Sequence, residues 1–560
     1  MTSHPTNFAK LIVPGIVGAI ACVLFFAICG WQALNPVSTD WLMDNYDFPQ
    51  HYMGWEFFRY APLWQFPIGK NPLCGLDLSN SIVFTDSMPF YALLLHPFHP
   101  YLPFPFQYFG TAILICFIAQ GFFGMRIAQT MTQSRVAVVL IATYFLVSPI
   151  FLWRLDCQIA AANHWIILAG LWFFMRPKFA RIGWVVLFFL TSLLNYYFFP
   201  MIGVLLCGDI ANRAITDRRQ LPQMLLTFTV AFVTTLLTLY VIGVFMITSS
   251  GMQMPSHELF RANLVTPFDA ETLWTCFMPN LPTRNPYGEG FGYLGTGVIL
   301  LLLIGIASRL FAKRSVVANE PTPINTKHSV IFLTIIALFF WFISLSYKIS
   351  FLQYNLAEYS YDNFRPLIAP FRAIGRLFWL PFYIIYVGVF ALLIRALPHK
   401  ALVSVLSVAL MIQVADMHKA FFFLRDVFHD DPYTSPLQDP FWNEAAKKYT
   451  KIRLFFPSTL RTPSWLPISY YACMNHMGIN SFRFARFDRT IKEQEDNRLW
   501  EILNGKRPYD SDTLYVFTHN NPKVWEAGCK RASANDLARE IDGFKVVAPN
   551  WQTTTTLSNK

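Results

Sequence analysis

Long apolar runs recur along this sequence and constrain its fold more than any other feature. A helix needs about 20 apolar residues to cross the hydrocarbon of a bilayer. On that ruler about eleven runs qualify, near residues 11–34, 106–130, 135–153, 159–176, 182–195, 197–213, 222–247, 291–312, 329–347, 377–396 and 399–418. Composition agrees: 54% of the residues are hydrophobic, only 14% are charged, and Phe alone occurs 55 times, beyond what a soluble surface tolerates. The expected fold class is an α-helical integral membrane protein. The first run is too long for a signal-peptide core and lacks a small-residue cleavage site, so it is expected to be retained as a span.

The fifth and sixth runs are separated only by Asn195, Tyr196, Tyr197 and a Phe198-Phe199-Pro200 turn. One bent helix there would invert the topology downstream, and charge decides between the two readings. Lys and Arg gather in short cytoplasmic loops. With eleven spans and a cytoplasmic N-terminus, the clusters around Arg126 and Arg135, Arg176 and Arg181, Arg213 and Arg219, Arg309 and Lys327, and Arg395 and Lys400 all fall inside. The net charge of +11 thus has a topological cause, and nucleic acid is not expected as a partner. The same topology puts the segments 35–105, 248–290 and 348–376, and everything beyond about 420, on the outer side.

The expected domains are therefore a transmembrane part, 1–419, with a large first outer loop, 35–105, and a soluble outer part, 420–560. In the first outer loop, residues 50–60 and 87–101 read as short amphipathic or re-entrant helices on the membrane face. In the C-terminal part, 451–458, 513–519 and 544–550 read as strands and 439–449, 490–505 and 533–543 as helices, which suggests a small α/β domain. It holds no GxGxxG after a strand, no P-loop and no GxSxG elbow. Nine cysteines are scattered without a CxxC pair; Cys473 and Cys529 either pair in an oxidising compartment or stay as thiols.

Outer-side arginines are the informative anomaly, since the positive-inside tendency does not account for them. Arg59, Arg154, Arg261, Arg284, Arg365, Arg372 and Arg376 fall in outer loops or at outer span ends. Guanidinium forks match phosphate oxygens, so an anionic ligand explains the group, while a lipid headgroup or a neighbouring carboxylate explains any one of them. Arg372 and Arg376, four apart before the tenth span, are expected on one helix face at a positive helix end. Carboxylates at an apolar boundary can serve as general bases, and Asp47 and Asp86 lead that group, with Asp44 beside them. Glu289 and Asp156 are further outer acids. His51 follows Asp47 by four residues and His257 precedes Arg261 by four; His164, inside a span, reads as a binding residue or a hydrogen-bonded core histidine. No fixed ligand spacing marks a metal, although Asp44, Asp47, Asp86 and His51 together leave a divalent ion open as a cofactor. Trp41, Trp55, Trp64, Tyr52 and Tyr60 suit either an interfacial belt or sugar stacking.

DFPQHYMGWEFFR (47–59), IVFTDSMPFYALLLHPF (82–98), FQYFG (106–110), NLVTPFDA (263–270), NPYGEGFGYLG (285–295) and FRAIGRLFW (371–379) carry a resemblance to a family of bacterial polytopic membrane proteins of unassigned activity. That family in turn resembles the GT-C glycosyltransferases in layout. The resemblance implies a sugar transferred from a polyprenyl phosphate or pyrophosphate donor to an envelope glycan, lipid or protein on the periplasmic face of the bacterial inner membrane. It makes Asp47 the base and the outer arginines the phosphate site. The spacing of Asp44 and Asp47 departs from the paired Asp-Glu or Asp-x-Asp of many such enzymes. Two rivals stand beside this reading: a flippase or transporter of a lipid-linked saccharide, and a non-catalytic envelope assembly protein.

Overall fold

The computed structural model describes the chain except for residues 1–6, 44–46, 157, 248–258, 284–287, 312–326, 361–370, 430–431, 457–464, 518–521 and 552–560. Asp44, His257, Arg284 and Arg365 lie outside the described residues. The fold is mostly helical with a C-terminal sheet. It divides into two compact units. One comprises Met1–Asn35, Tyr108–Leu236 and Met254–Asp430; the other comprises Pro36–Gln107, Leu237–Gln253 and Asp431–Lys560. The first long loop thus shares its unit with the C-terminal region.

In the first unit the apolar runs are helices. Seven helices among the described residues are long and apolar enough to cross a membrane: Leu11–Cys29, Phe109–Met131, Arg135–Leu155, Phe198–Thr216, Arg218–Ile242, Ile374–Ala396 and His399–Asp416. Four shorter apolar ones, Ile159–Met175, Arg181–Leu194, Thr296–Phe311 and His328–Ser344, accompany them. The fifth and sixth runs are separate helices. Asn195 adopts an extended conformation after Leu194, and its Oδ1 accepts a hydrogen bond from the Tyr197 amide at 3.0 Å, which ends one helix and starts the next. The loop between 259 and 295 is irregular but anchored. One carboxylate oxygen of Asp416, at the end of a helix, accepts from the Thr275 hydroxyl and the Cys276 and Phe277 amides, and the other accepts from Tyr293 and Thr296.

The second unit holds a five-stranded sheet in the order Gly478–Ile479, Lys451–Leu454, Thr513–Phe517, Phe544–Ala548, Leu537–Ile541. The first three strands are parallel and the last two antiparallel. The expected helix over 533–543 is instead the edge strand of a hairpin. Asp542 and Gly543 both take positive φ, 47° and 79°, the twist that a tight two-residue hairpin turn requires. The expected surface helix over 50–60 is also different: Phe48–Phe58 forms a helix, but all of its residues are buried. Gly54 makes that packing feasible, because a Cβ there would lie 2.3 Å from Thr85 Oγ1. An ion pair of Arg453 joins the first loop to the sheet, and a second one ties the sheet to the helix Arg489–Leu503. Arg453, on a central strand, reaches Asp77 at 2.7 Å and the buried Glu495.

Candidate functional site

In the first unit, irregular backbone brings distant charges together. Arg154 leaves a short turn, Trp153–Leu155, with its guanidinium between the Trp153 ring, 4.1 Å away, and the Trp379 ring, 4.8 Å away. Arg376 leaves the turn Ile374–Phe378 and lies 4.7 Å over the Tyr197 ring. Both reach Glu289. Arg154 Nη1 donates to one carboxylate oxygen at 2.9 Å; Arg376 Nε donates to the same oxygen at 2.8 Å, and its Nη2 to the other at 2.5 Å. Gln158 Oε1 accepts from both guanidiniums. Burial alone would raise the Glu289 carboxyl, but Arg376 and Arg154, by charge and by hydrogen bonding, bring it down to about 2. Glu289 is therefore a carboxylate at any physiological pH.

This close approach depends on two glycines. A Cβ on Gly375 would lie 2.8 Å from Gly290 Cα, and one on Gly290 would lie 2.2 Å from the Arg261 carbonyl oxygen. With neither present, the Arg376 turn lies directly against the Glu289 backbone.

Glu271 is the acid that sequence reasoning missed. It sits in left-handed backbone, φ 42°, where a non-glycine residue is strained. It is half-buried, and its carboxyl makes no hydrogen bond among the described residues. Asp269, two residues earlier, accepts from the Glu271 amide at 3.3 Å and from the Thr283 hydroxyl at 2.5 Å. Burial first, and then repulsion from Asp269, push the Glu271 carboxyl up to about 7, against the pull of Arg154. Asp269 is the penultimate residue of the NLVTPFDA stretch, but nothing in that string signals a shifted acid directly after it. The shift comes from burial and charge supplied by distant segments.

The other expected residues of this unit fall around the cluster. His164 is fully buried, with Nδ1 2.9 Å from the Tyr383 hydroxyl and its ring 4.5 Å from Trp379, which supports the wall against Arg154. Arg261 donates to the Lys348 carbonyl and, at 2.6 Å, to Ser350 Oγ, fastening the loop to the hairpin Lys348–Phe351/Tyr354–Glu358. Arg372 is exposed, 5.2 Å over the Phe260 ring. It and Arg376 do not share a helix face, because Arg372 precedes the first turn and Arg376 is directed inward.

In the second unit the first-loop acids have partners of their own. Asp47, just before the buried helix Phe48–Phe58, is ion-paired with Arg483 at 2.8 Å. His51 is wholly buried; burial lowers it to about 4, with Asp47 opposing and Arg483 assisting, so it is neutral. Asp86 ends the turn Ile82–Thr85 in left-handed backbone, φ 56°, and that turn packs on the helix, where Ser87 Oγ donates to the His51 carbonyl at 2.7 Å. Arg59 is buried and pairs with Glu56 at 2.9 Å; it also donates to the carbonyls of Pro103, Leu102 and His99. Cys473 and Cys529 are free thiols. Among the described residues no three His, Cys, Asp or Glu side chains converge as metal ligands.

The sequence profile described as Domain of unknown function (DUF6311) matches residues 18–418, more than half of the chain. The chain belongs to the DUF6311 family. A second profile, the DUF6311 C-terminal domain, matches residues 441–549, which contain all five strands of the sheet. Comparison with curated proteins finds none that matches this DUF6311 member. The larger DUF6311 match takes in the whole Arg154, Glu271, Glu289 and Arg376 cluster.

Proposed function

We propose that this chain is a membrane glycosyltransferase that moves a sugar from a polyprenyl phosphate or pyrophosphate donor to an acceptor hydroxyl at the outer face of the bacterial inner membrane. The observation that carries this reading is a cavity of about 670 Å³ in the first unit. Phe188, Phe199, Phe228, Phe232, Phe339 and Phe342 contribute to a nearly all-apolar lining. Ile374 and Leu377 complete it from the same turn that carries Arg376. A space for hydrocarbon thus adjoins the turn whose Arg376 meets Arg154 at Glu289, and apolar space next to guanidiniums is what a lipid phosphate requires.

Around Glu289 two guanidiniums meet one permanent carboxylate, so the guanidinium side of the cluster supports an added anion, while Asp269 keeps the Glu271 side negative. Glu289 and Gln158 hold the guanidiniums in place before any substrate arrives, which is the condition for electrostatic stabilisation of a leaving group. Glu271, poised near neutrality, has the proton affinity of a general base. In the reaction the acceptor hydroxyl gives its proton to Glu271 and its oxygen bonds to the anomeric carbon. The bond from that carbon to the phosphate oxygen breaks with its electron pair, and the lipid phosphate leaves toward Arg154 and Arg376. Direct displacement inverts the anomeric centre. Asp47 is the competing base.

The test uses purified full-length protein in nanodiscs with a panel of polyprenyl-phosphate hexoses, reading release of polyprenyl phosphate. Glu271→Gln should lower turnover by about 10²- to 10⁴-fold, whereas Asp47→Asn should leave most of it. The reverse pattern moves the base to Asp47. Gly203, which lines the cavity and whose added Cβ would meet open space, offers a plug that the fold tolerates. Gly203→Phe should raise the KM for the lipid donor, and no release from any donor by the wild type would remove the proposal. A flippase would instead move the lipid-linked saccharide across vesicles without releasing its phosphate.

A further inference from the structure

Cys276 and His418 meet in a contact that the proposed transfer does not use. Cys276 is half-buried in the loop between 259 and 295, and its Sγ lies 3.4 Å from Nδ1 of His418. His418 is exposed and opens the helix His418–Val427. The Ala415 carbonyl oxygen lies 3.0 Å from the same Nδ1. A carbonyl only accepts, so Nδ1 carries the proton and the imidazole presents an N–H toward the sulfur. A thiol gains little from such a donor, whereas a thiolate gains a charge-assisted hydrogen bond. The positive end of the helix that His418 opens acts in the same direction. The Asp416 charge acts against it, but that carboxylate already accepts from five donors, the Cys276 amide among them.

The other described thiols lack this combination of access and an imidazole donor. Cys29, Cys74, Cys116 and Cys473 are buried. Cys22 and Cys207 lie on apolar helices of membrane length, Leu11–Cys29 and Phe198–Thr216. Cys529 is half-buried like Cys276, but burial pushes its thiol up, with Lys545 only opposing. Reactive cysteines are those with both access and groups that hold the thiolate.

We propose that Cys276 is a reversible modification site, whose thiolate, held by the His418 N–H, exchanges with a small-molecule disulfide. Sγ bonds to one sulfur of that disulfide, the disulfide S–S bond breaks with its electron pair, and the second sulfur leaves as a thiolate. Cys276 is thereby oxidised and the leaving half reduced, and attack by another thiol reverses the step. The proposal requires neither sugar transfer nor a bilayer around the first unit. Its place in the fold gives it a consequence. The Cys276 amide, 2.7 Å from Asp416, helps to anchor the loop that carries Glu271 and Glu289. Trp274, two residues earlier, packs on Phe291 at 5.4 Å between ring centroids, and Phe291 stacks at 5.6 Å on Trp153, the ring beside Arg154. An adduct at Cys276 therefore bears on the segment that holds the charge cluster.

The test treats the full-length protein in nanodiscs with glutathione disulfide and follows each adduct by peptide mass mapping. In the wild type Cys276 should be modified about tenfold faster than Cys529, the effect of one charge-assisted hydrogen bond, and dithiothreitol should release the adduct. His418→Ala, at an exposed side chain, should slow Cys276 by about the same factor while leaving the Cys529 rate and the melting temperature unchanged. His418→Asn should keep most of the rate, because its amide nitrogen donates from near the place of Nδ1. A Cys276 that reacts no faster than Cys529 overturns the proposal, as does a rate that His418→Ala leaves unchanged. Equal slowing by His418→Ala and His418→Asn removes the N–H as the cause and with it the argument for this thiol.

Discussion

Glu271→Gln should make the protein more stable while it disables the proposed chemistry, and the gain should appear only at higher pH. In the unfolded chain this carboxyl titrates near its ordinary value of 4.5; in the fold, burial and Asp269 raise it to about 7. A raised carboxyl means that the folded state holds the proton more tightly than the unfolded one. Stability is therefore lost as pH rises from about 4.5 to 7 and stays lost above that. Each tenfold in proton affinity is worth 1.36 kcal/mol, so the full effect is about 3 kcal/mol, and about 2 kcal/mol after allowing for partial solvent access at a half-buried residue.

Glutamine mimics the protonated acid at every pH. The two proteins should melt together near pH 4.5 and separate as pH rises, reaching a gap of roughly 4 °C by pH 8.5, at about 2 °C per kcal/mol for a chain of this size. Thermal unfolding in nanodiscs across that range measures it. Asp269→Asn, which removes the repulsion but not the burial, should shrink the gap and make it level off at a lower pH. The reasoning fails if Glu271→Gln is no more stable than wild type at pH 8.5, or if the gap does not change with pH.

Four further outcomes follow from other contacts. Glu289→Gln should destabilise by about 3–5 kcal/mol, because two buried guanidiniums lose their carboxylate; since that acid is held low, the deficit seen in melting curves should shrink as pH falls from 4.5 toward 2. Gly375→Ala should cost about 1–3 kcal/mol and weaken lipid-phosphate binding by moving the Arg376 turn off Gly290, measured by melting and by titration with farnesyl phosphate. Arg453→Met should expose the 36–107 segment to limited proteolysis, because Asp77 loses its tie to the sheet and Glu495 is left buried without its cation. Arg59→Lys should lower the melting temperature without changing donor KM, since its donors are engaged by Glu56 and backbone carbonyls.

Much of the helical layout was legible because apolar run length is a one-dimensional signal. The Asn195 break was legible too, because a short polar interruption between two such runs has few alternatives. The hairpin over 537–548 was misread because its amino-terminal half is amphipathic in either period, and the Asp542-Gly543 pair, a local hairpin signal, carried the missing information. Charged residues were harder. Arg59 and Arg376 look alike in sequence, each beside aromatics near an apolar run, yet one is enclosed with Glu56 while the other meets Glu289, 87 residues away. Partner identity is a tertiary property. Glu271 was invisible for the same reason: its proton affinity depends on what buries it and on Asp269 and Arg154.

The two glutamates of the loop between 259 and 295 show how one protein can assign opposite tasks to the same side chain. Both are within the electrostatic reach of Arg154. Glu289 gains a second guanidinium and hydrogen bonds from both, so its ionised form is held and it acts as a fixed counter-charge. Glu271 lacks such bonds and has Asp269 beside it, so its proton is retained until near neutrality. Environments that drive two acids apart in this way separate a structural charge from a mobile proton. The separation also explains the backbone. A regular helix would have satisfied its own amides and set side chains at fixed spacing. The left-handed residue at 271 and the glycine contact at 290 and 375 place one acid away from donors and the other against two of them.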